Sequence, residues 1–134
     1  MSNVKLAIAL VLVLWVANVN AQQKAPGSDR NKHGCIGSAG YTYSVVRNDC
    51  VRLFEEKIRL KEKTPKGSYT SDAVVIFDKS RQRAEIFLPG SNGSSILKKT
   101  KVKGTTVWKA GALVLATQGN GYTLKKSGKL IYVM

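Results

Sequence analysis

Apolar and polar residues alternate in short runs along most of this chain, which is the pattern of half-buried β-strands. The runs are AVVIF (73–77), AEIFL (84–88), ILKKTKV (96–102), TTVW (105–108), ALVLAT (112–117), YTL (122–124) and KLIYVM (129–134). Residues typical of turns, mainly glycine, asparagine and serine, separate these runs. We therefore predict an all-β fold in which a small antiparallel meander closes into a barrel over residues 57–134.

The first segment of this region, KIRLKEK (57–63), fits two kinds of element. A helix would place Glu55 four residues before Arg59, which is a favourable ion pair. A strand would place Ile58 and Leu60 on one face and four cations on the other, and this two-residue period is the more regular one. We expect a strand. The cations on its polar face are Lys57, Arg59, Lys61 and Lys63.

Before this segment, YTYS (41–44) and CVRLF (50–54) flank a polar stretch and predict a hairpin within residues 35–56. Its apolar side chains would pack on the end of the barrel. They are Tyr41, Tyr43, Val51 and Leu53. Residues 22–34 are polar and lack an apolar period, so we expect a flexible leader that ends near a solvent-exposed His33.

The first 21 residues have the organisation of a secretory signal peptide. Lys5 precedes an uninterrupted apolar run over residues 6–17, and small residues near Ala21 suit a signal peptidase. The apolar run is too short to span a bilayer, although an uncleaved membrane anchor is the alternative. We predict an exported protein, periplasmic or secreted, with no transmembrane segment after cleavage.

Export determines how the two cysteines are interpreted. Cys35 and Cys50 are the only cysteines of the chain, and pairs in small exported domains usually form a disulfide. Closing a loop of this length stabilises a fold by about 3 kcal/mol in the chain-entropy model. The alternative, a nucleophilic cysteine, needs an oriented base. The only histidine, His33, lies too near Cys35 along the chain for that role.

The sequence contains no pattern of residues that predicts catalysis or cofactor binding. Glu55 and Glu56 are adjacent, and on a strand they would point to opposite faces, so they cannot flank one glycosidic bond. Asp72 and Asp78 bracket a strand as turn residues do. A single histidine cannot supply the ligands of a typical zinc site. We therefore expect a non-enzymatic protein without a metal or cofactor.

The charge of the chain favours anionic partners. The net charge is +14, and removing Lys5 with the signal peptide leaves about +13 in the mature protein. A second group of cations, Lys99, Lys101 and Lys103, shares one strand face. If this strand lies near the first cationic strand, seven cations form one basic patch for an anionic envelope polymer. Alternatively, these are edge-strand lysines that prevent aggregation. Aromatic residues are few, so we do not expect a nucleic-acid site.

The C-terminal half resembles the membrane-bound lysozyme inhibitor of c-type lysozyme and its small periplasmic relatives. The resemblance covers about 60 residues, in the segments AEIFLPG and VWKAGALVLATQGNGYTLKKSGKLIY. The matching positions are Trp108, Gly111, Leu113, Leu115, Thr117, Gly119, Thr123, Leu124, Gly128 and Lys129. It implies an eight-stranded barrel. The cysteines that crosslink the barrel strands in that family have no counterpart after Cys50.

The same resemblance implies a loop that enters the lysozyme cleft. The family uses a serine and a lysine there, and the corresponding segment here is KVKGTTVWKAG, which has no serine. The implied partner-binding residues are Thr105, Thr106, Trp108 and Lys109. The sequence thus predicts an exported binding protein with a lysozyme-like partner. The alternatives are a basic module that binds anionic envelope polymers and a structural envelope protein.

Overall fold

The computed structural model describes residues 28–68 and 71–134. The predicted signal peptide (1–21) and residues 22–27 of the predicted leader lie outside this described part. Within it, no helix has the length and apolar character needed to cross a membrane.

The described residues form ten strands and two short 3-10 turns. The strands are β1 (Tyr41–Ser44), β2 (Asp49–Arg52), β3 (Arg59–Glu62), β4 (Asp72–Phe77), β5 (Arg83–Phe87), β6 (Ser95–Val102), β7 (Thr105–Ala110), β8 (Leu113–Gln118), β9 (Gly121–Lys126) and β10 (Lys129–Val133). The 3-10 turns are Gly37–Ala39 and Leu53–Glu55. Strands β3 to β10 each pair antiparallel with their chain neighbours, and β10 closes on β3. The predicted all-β meander and closed barrel are confirmed.

The barrel interior is filled by the apolar residues of the alternating runs. Every second side chain of each strand points inward. The buried interior residues are Leu60, Ala73, Val75, Ala84, Ile86, Leu97, Trp108, Leu115 and Leu124. Burying each of the larger aliphatic side chains stabilises the fold by about 1.5–3 kcal/mol. The barrel is therefore a packed core rather than an open channel.

A tight two-residue turn sets the register of β6 on β7. Lys103 and Gly104 both have positive φ, 49° and 80°. Two successive residues of this kind are typical of a type I′ hairpin turn, which matches the twist of the flanking strands. The turn places Lys98 directly opposite Lys109 and Lys99 opposite Trp108.

Segment 57–63 forms a strand, as its two-residue period predicts, and the helical alternative is wrong. Only Arg59–Glu62, which form β3, are in strand conformation, and Leu60 is fully buried inside the barrel. Lys57 and Lys63 lie just outside it, in bends.

The hairpin of β1 and β2 covers the outer wall of the barrel instead of its end. Val51 of β2 packs against Val74 and Ile76 of β4 and Phe87 of β5, whose side chains point away from the barrel interior. Leu53 joins the same cluster. Strands β4 and β5 are consequently buried on both faces.

The two tyrosines of β1 belong to different contacts from those predicted. The Tyr43 ring stacks on the exposed His33 ring, with 3.8 Å between centroids. The guanidinium carbon of Arg52 lies 4.4 Å above the Tyr41 ring. The predicted packing of both tyrosines on the barrel end is therefore wrong. The second predicted strand is also shorter than expected, because Leu53 and Phe54 belong to a 3-10 turn.

A disulfide joins Cys35 to Cys50, as predicted, and thereby ties the segment before the hairpin to β2. This segment has defined contacts. The Asn31 side-chain oxygen accepts hydrogen bonds from the backbone N–H groups of His33 and Cys35. Within the described part of the chain, the leader thus folds back beside the hairpin.

Candidate functional site

Acidic and basic residues are distributed very unevenly along the chain. The acidic residues are Asp29, Asp49, Glu55, Glu56, Glu62, Asp72, Asp78 and Glu85. No acidic residue follows Glu85, whereas residues 86–134 carry lysines. These are Lys98, Lys99, Lys101, Lys103, Lys109, Lys125, Lys126 and Lys129. We call the part of the barrel built by β6 to β10 the cationic half, because its five strands contain no negative side chain.

Three of these lysines follow one another around the outside of the barrel. Lys98 lies opposite Lys109, Lys109 opposite Val114, and Val114 opposite Lys125. All four side chains point outward, since the alternating neighbour Leu97 is buried inside. We call Lys98, Lys109 and Lys125 the lysine row. Adjacent strands lie about 4.8 Å apart, so Lys98 and Lys109 are one strand spacing apart, and Lys109 and Lys125 are two strand spacings apart.

The lysine row is electrostatically costly for the protein alone. Like charges directly opposite on neighbouring strands destabilise a sheet, and Lys98 faces Lys109 without an intervening residue. All three lysines are exposed. None forms an ion pair with another described residue, and no acidic residue is available on β6 to β10. The row therefore presents uncompensated charge to the solvent.

Arg83 extends the row onto β5, where it lies opposite Lys98. Here the charge is compensated, since the Arg83 side chain forms an ion pair with Asp78 at 3.2 Å. Desolvation raises the pKa of Asp78, but hydrogen bonds from the backbone and side chain of Arg83 lower it to a value below the ordinary one. The uncompensated part of the row consequently begins at β6.

The predicted cations of β3 are engaged with an acidic residue. The Asp72 carboxylate of β4 forms ion pairs with Lys61 Nζ and with Arg59 Nη2, each at 2.7 Å. The hydrogen bond from Lys61, together with the charges of Lys61 and Arg59, outweighs desolvation and lowers the pKa of Asp72. Two of the four predicted cations thus share one carboxylate, which compensates one of their two positive charges.

The second predicted set consists of Lys99, Lys101 and Lys103. These lysines are exposed, on the C-terminal part of β6 and in the turn that follows it. The strand pairing of β6 with β5 ends at Lys98, and the Lys99 N–H still donates to the Gln82 carbonyl at 2.8 Å. Beyond Lys99, β6 pairs with β7. Strands β4 and β5 separate β3 from β6. The condition for one seven-cation patch, that the two cationic strands lie near each other, is therefore not met by strand pairing.

The predicted partner-binding segment is part of a strand rather than a loop. Thr105, Thr106, Trp108 and Lys109 all belong to β7. Trp108 is only 4% exposed and contributes to the barrel core. Lys109 is exposed and belongs to the lysine row. Of this set, Lys109 has the position best suited to contact a partner.

Sequence reasoning missed Glu85, the most thoroughly buried charged residue. Its side chain is 0% exposed, on the outer face of β5 beneath the hairpin. It accepts hydrogen bonds from Ser44 Oγ (2.6 Å), Ser94 Oγ (2.5 Å) and the backbone N–H groups of Val45 (3.1 Å) and Val46 (3.2 Å). All four donors come from the hairpin and the β5–β6 loop. Glu85 therefore attaches the hairpin to the barrel rather than forming an accessible site.

The described residues contain no group of three or more histidine, cysteine or acidic side chains arranged to hold a metal ion. Comparisons with protein-family models, curated proteins and solved structures found no match for this chain.

Proposed function

We propose that this protein is an exported, non-enzymatic binding protein whose lysine row takes up a flexible acidic polymer of the cell envelope. The observation that carries this proposal is the direct opposition of Lys98 and Lys109 in a half of the barrel without acidic residues. A polyanion that lies across the row would relieve the repulsion between these side chains.

Protection of an exposed strand edge does not explain the row. Edge lysines discourage strand addition where backbone groups are unpaired. Lys98 and Lys109 lie instead where β6 and β7 are bonded on both sides, between β5 and β8. The edge explanation remains suitable for Lys101, which lies beyond the pairing with β5.

The curvature of the barrel favours a flexible ligand over a flat or rigid one. Consecutive strands of an eight-stranded barrel are rotated by about 45° around the axis. The lysine row extends from β6 to β9, so its ends face directions that differ by more than a right angle. A flat bilayer or a stiff duplex touches one end of the row at a time. A single flexible chain can contact all three lysines.

Export rests on two features. The disulfide suits an oxidising compartment, and the N-terminal sequence suits a signal peptide. Acidic polymers are abundant outside the cytoplasm, where a protein of this charge would meet them.

Binding to two soluble polymers, polygalacturonate and heparin, tests the proposal. The variant Lys98→Gln with Lys109→Gln should weaken binding at low salt by about tenfold. It should also lower the slope of log K against log salt by about 1.4, since each cation contributes about 0.7 with a single-stranded polyanion. The matched control, Lys32→Gln with Lys79→Gln, removes the same charge from two exposed residues next to the hairpin, on the side of the barrel that the hairpin covers.

Three outcomes would contradict the proposal. The first is a control pair that lowers the slope as much as the row pair, which would mean that binding depends on net charge alone. The second is binding of both polymers that is absent or independent of salt. The third is tighter binding of phosphatidylglycerol vesicles or of a DNA duplex than of either flexible polymer, which would show that the curvature of the row does not select the ligand.

Lysozyme inhibition is the second candidate function. The closed eight-stranded barrel is the architecture that the resemblance implies, and Lys109 is exposed. An assay of c-type lysozyme with micromolar protein tests this candidate, with Lys109→Gln as the informative variant. Full lysozyme activity at that concentration would eliminate inhibition of the enzyme tested.

A further inference from the structure

One end of the barrel carries an arginine that the lysine row does not involve. Three hairpin turns meet at this end, which we call the upper end: residues 78–82, 103–104 and 118–121. Arg81, in the first of these turns, lies over a group of aromatic side chains at the top of the core. Its position and its partners differ from those of every other cation described.

The Arg81 side chain is held from two directions. Its guanidinium carbon lies 4.2 Å from the centroid of the Phe77 ring, and Nη2 donates a hydrogen bond to the Tyr122 hydroxyl. The Phe77 ring in turn packs edge-on against Trp108, with 4.8 Å between centroids. Stacking and the hydrogen bond fix the guanidinium plane, because an arginine on an aromatic face loses much of its rotational freedom.

The Arg81 backbone is fixed as well. Its φ is 55°, a left-handed conformation that is unfavourable for a residue with a Cβ atom. Two hydrogen bonds hold it there: Arg81 N–H donates to the Asp78 carbonyl at 3.0 Å, and the Arg81 carbonyl accepts from Trp108 Nε1 at 2.9 Å. Unfavourable backbone conformations that persist in this way are concentrated at functional sites.

Despite this ordering, Arg81 has no anionic partner among the described residues. It forms no ion pair, and its one side-chain hydrogen bond goes to Tyr122. The guanidinium group has further N–H donors, and the residue is exposed to solvent.

The acidic residues near Arg81 are already occupied. Arg81 lines a cavity of about 570 Å³ that also includes Lys57, Glu55 and Glu56. Glu56 forms a two-bond ion pair with Arg47, at 2.5 and 2.8 Å, and Glu55 pairs with Arg52 at 3.1 Å. Asp78 pairs with Arg83. The cavity therefore retains two uncompensated cations, Arg81 and Lys57.

A third cation comes from the neighbouring strand. The backbone N–H of Lys99 donates to the carbonyl of Gln82, the residue after Arg81, at 2.8 Å. Lys99 also lies opposite Trp108 in the strand register. Its side chain is on the same strand face as the inward Leu97 but above the core, at the rim of the upper end.

We propose that Arg81, supported by Lys57 and Lys99, forms a binding site for a tetrahedral oxyanion, phosphate or sulfate, either free or as an ester group. A planar fork that is pre-oriented by stacking donates two parallel hydrogen bonds to such an anion. The flanking lysines favour a doubly charged ligand over a singly charged one. This site is separate from the lysine row and goes beyond the binding of a polymer there.

Trp108 provides the readout, because its indole contacts the Arg81 carbonyl. The chain has two tryptophans, so the substitution Trp15→Phe in the full chain leaves Trp108 as the only one. The probes are sodium phosphate, sulfate and acetate, with sodium chloride added to hold the ionic strength constant. We expect a saturable change in fluorescence with phosphate and sulfate, and a weaker response with acetate.

Variants of Arg81 test the geometry. Arg81→Lys keeps a cation near Phe77 but removes the fork, and it should weaken phosphate binding by at least about threefold. Arg81→Gln should weaken it by about tenfold or more. The control Lys66→Gln removes one exposed positive charge from the opposite end of the barrel and should leave the affinity within about twofold.

The outcomes separate this proposal from the previous one. Unchanged phosphate affinity in Arg81→Lys, or an acetate response equal to that of phosphate, would overturn the oxyanion site while leaving polymer binding at the lysine row intact. A protein that binds phosphate but neither polymer would support the oxyanion site and overturn polymer binding at the lysine row. If the Arg81 variants fail to fold, the Nε–H resonance of Arg81 in the unsubstituted protein decides the matter, since it must shift on addition of phosphate and not of chloride.

Discussion

The two sides of the barrel differ in what covers them and in how their charges are used. On the β3–β5 side, the N-terminal hairpin covers an apolar outer wall, and every acidic residue of the chain lies in this side or in the hairpin and its leader. On the β6–β10 side, the outer wall carries exposed lysines and no acidic residue. One side is covered and has its acidic residues among its cations, and the other is open and uniformly positive.

This difference separates structural charges from available ones. Asp72, Asp78 and Glu85 each contact cations or hydrogen-bond donors of the same side, so their energetic effect is to hold strands and hairpin together. The lysines of the cationic half have no such role within the described fold. Substitutions on the covered side should therefore change stability, whereas those on the cationic half should change binding.

The largest expected effect concerns the buried carboxylate beneath the hairpin. Glu85→Gln keeps one acceptor oxygen and places an amide N–H₂ group against the other pair of donors, so one backbone N–H loses its acceptor and the remaining hydrogen bonds lose the carboxylate charge. Bonds to a charged acceptor contribute about 1.5–3 kcal/mol each, so the free energy of unfolding should fall by about 3 kcal/mol or more. Chemical denaturation measures this change.

An exposed carboxylate of the same side serves as the control. Glu55→Gln breaks a surface ion pair with Arg52 and should cost no more than about 1 kcal/mol. Folded Glu85→Gln protein should still bind polygalacturonate as the parent does. A loss of polymer binding by the folded variant would show that the two sides are not independent.

The second prediction removes the disulfide. Replacing both Cys35 and Cys50 by serine should lower the free energy of unfolding by up to about 3 kcal/mol, because the unfolded chain regains the freedom of the closed loop. The hairpin should exchange its amide hydrogens faster than the barrel strands, which hydrogen exchange measures. Uniform acceleration over hairpin and barrel alike would contradict the picture of a separately attached cover.

Local patterns in the sequence were sufficient to predict the barrel. Strands and their chain order are predicted by the alternation of apolar and polar residues and by glycines at the turns. Examples are the runs 73–77 and 84–88 and the turn residues Gly104 and Gly128. The short turn at Lys103 and Gly104 even contains the information that Lys98 faces Lys109, because a two-residue turn fixes the register of its hairpin. The disulfide followed from the number of cysteines and the predicted compartment.

The position of the hairpin could not be predicted in the same way. Nothing local to Val51 states which surface it will cover, since that depends on a contact with β4 and β5 more than twenty residues later. The outward position of Glu85 predicts exposure by alternation, and the distant Ser44 reverses that expectation. The resemblance to a lysozyme inhibitor placed Trp108 in a binding loop, whereas its inward position on β7 makes it a core residue.

The third prediction concerns pH and tests the covered side. Hydrogen bonding to Lys61, with the charges of Lys61 and Arg59, lowers the pKa of folded Asp72 below its value in the unfolded chain. Its stabilising contribution is therefore complete above the unfolded pKa and is lost as the pH falls through the folded pKa. Asp72→Asn should cost about 1 kcal/mol at neutral pH.

The measurement is a pair of denaturation series from neutral pH to about pH 3. The difference in stability between the parent and Asp72→Asn should shrink as the pH falls below about 4, where the unfolded carboxyl is mostly protonated while the folded one still carries its charge. A constant difference over the whole range would mean that packing at Asp72, whose side chain is 10% exposed, matters more than its charge.

The smallest expected effect has the opposite sign and lies on the cationic half. Lys98→Gln removes a positive charge that faces both Lys109 and Arg83, so the free energy of unfolding should rise by about 0.5 kcal/mol at low salt. The same substitution should weaken polymer binding. The matched variant Lys125→Gln removes a row lysine whose direct neighbours are Val114 and Leu130, so it should weaken binding without a comparable gain in stability.

Thermal denaturation at low and high salt measures the gain in stability, which should disappear when salt screens the repulsion. If Lys98 belongs to the binding surface, removing its charge must weaken polymer binding as well as the repulsion. A stabilised Lys98→Gln variant that binds the polymer as the parent does would therefore show that the opposed lysines only destabilise the fold.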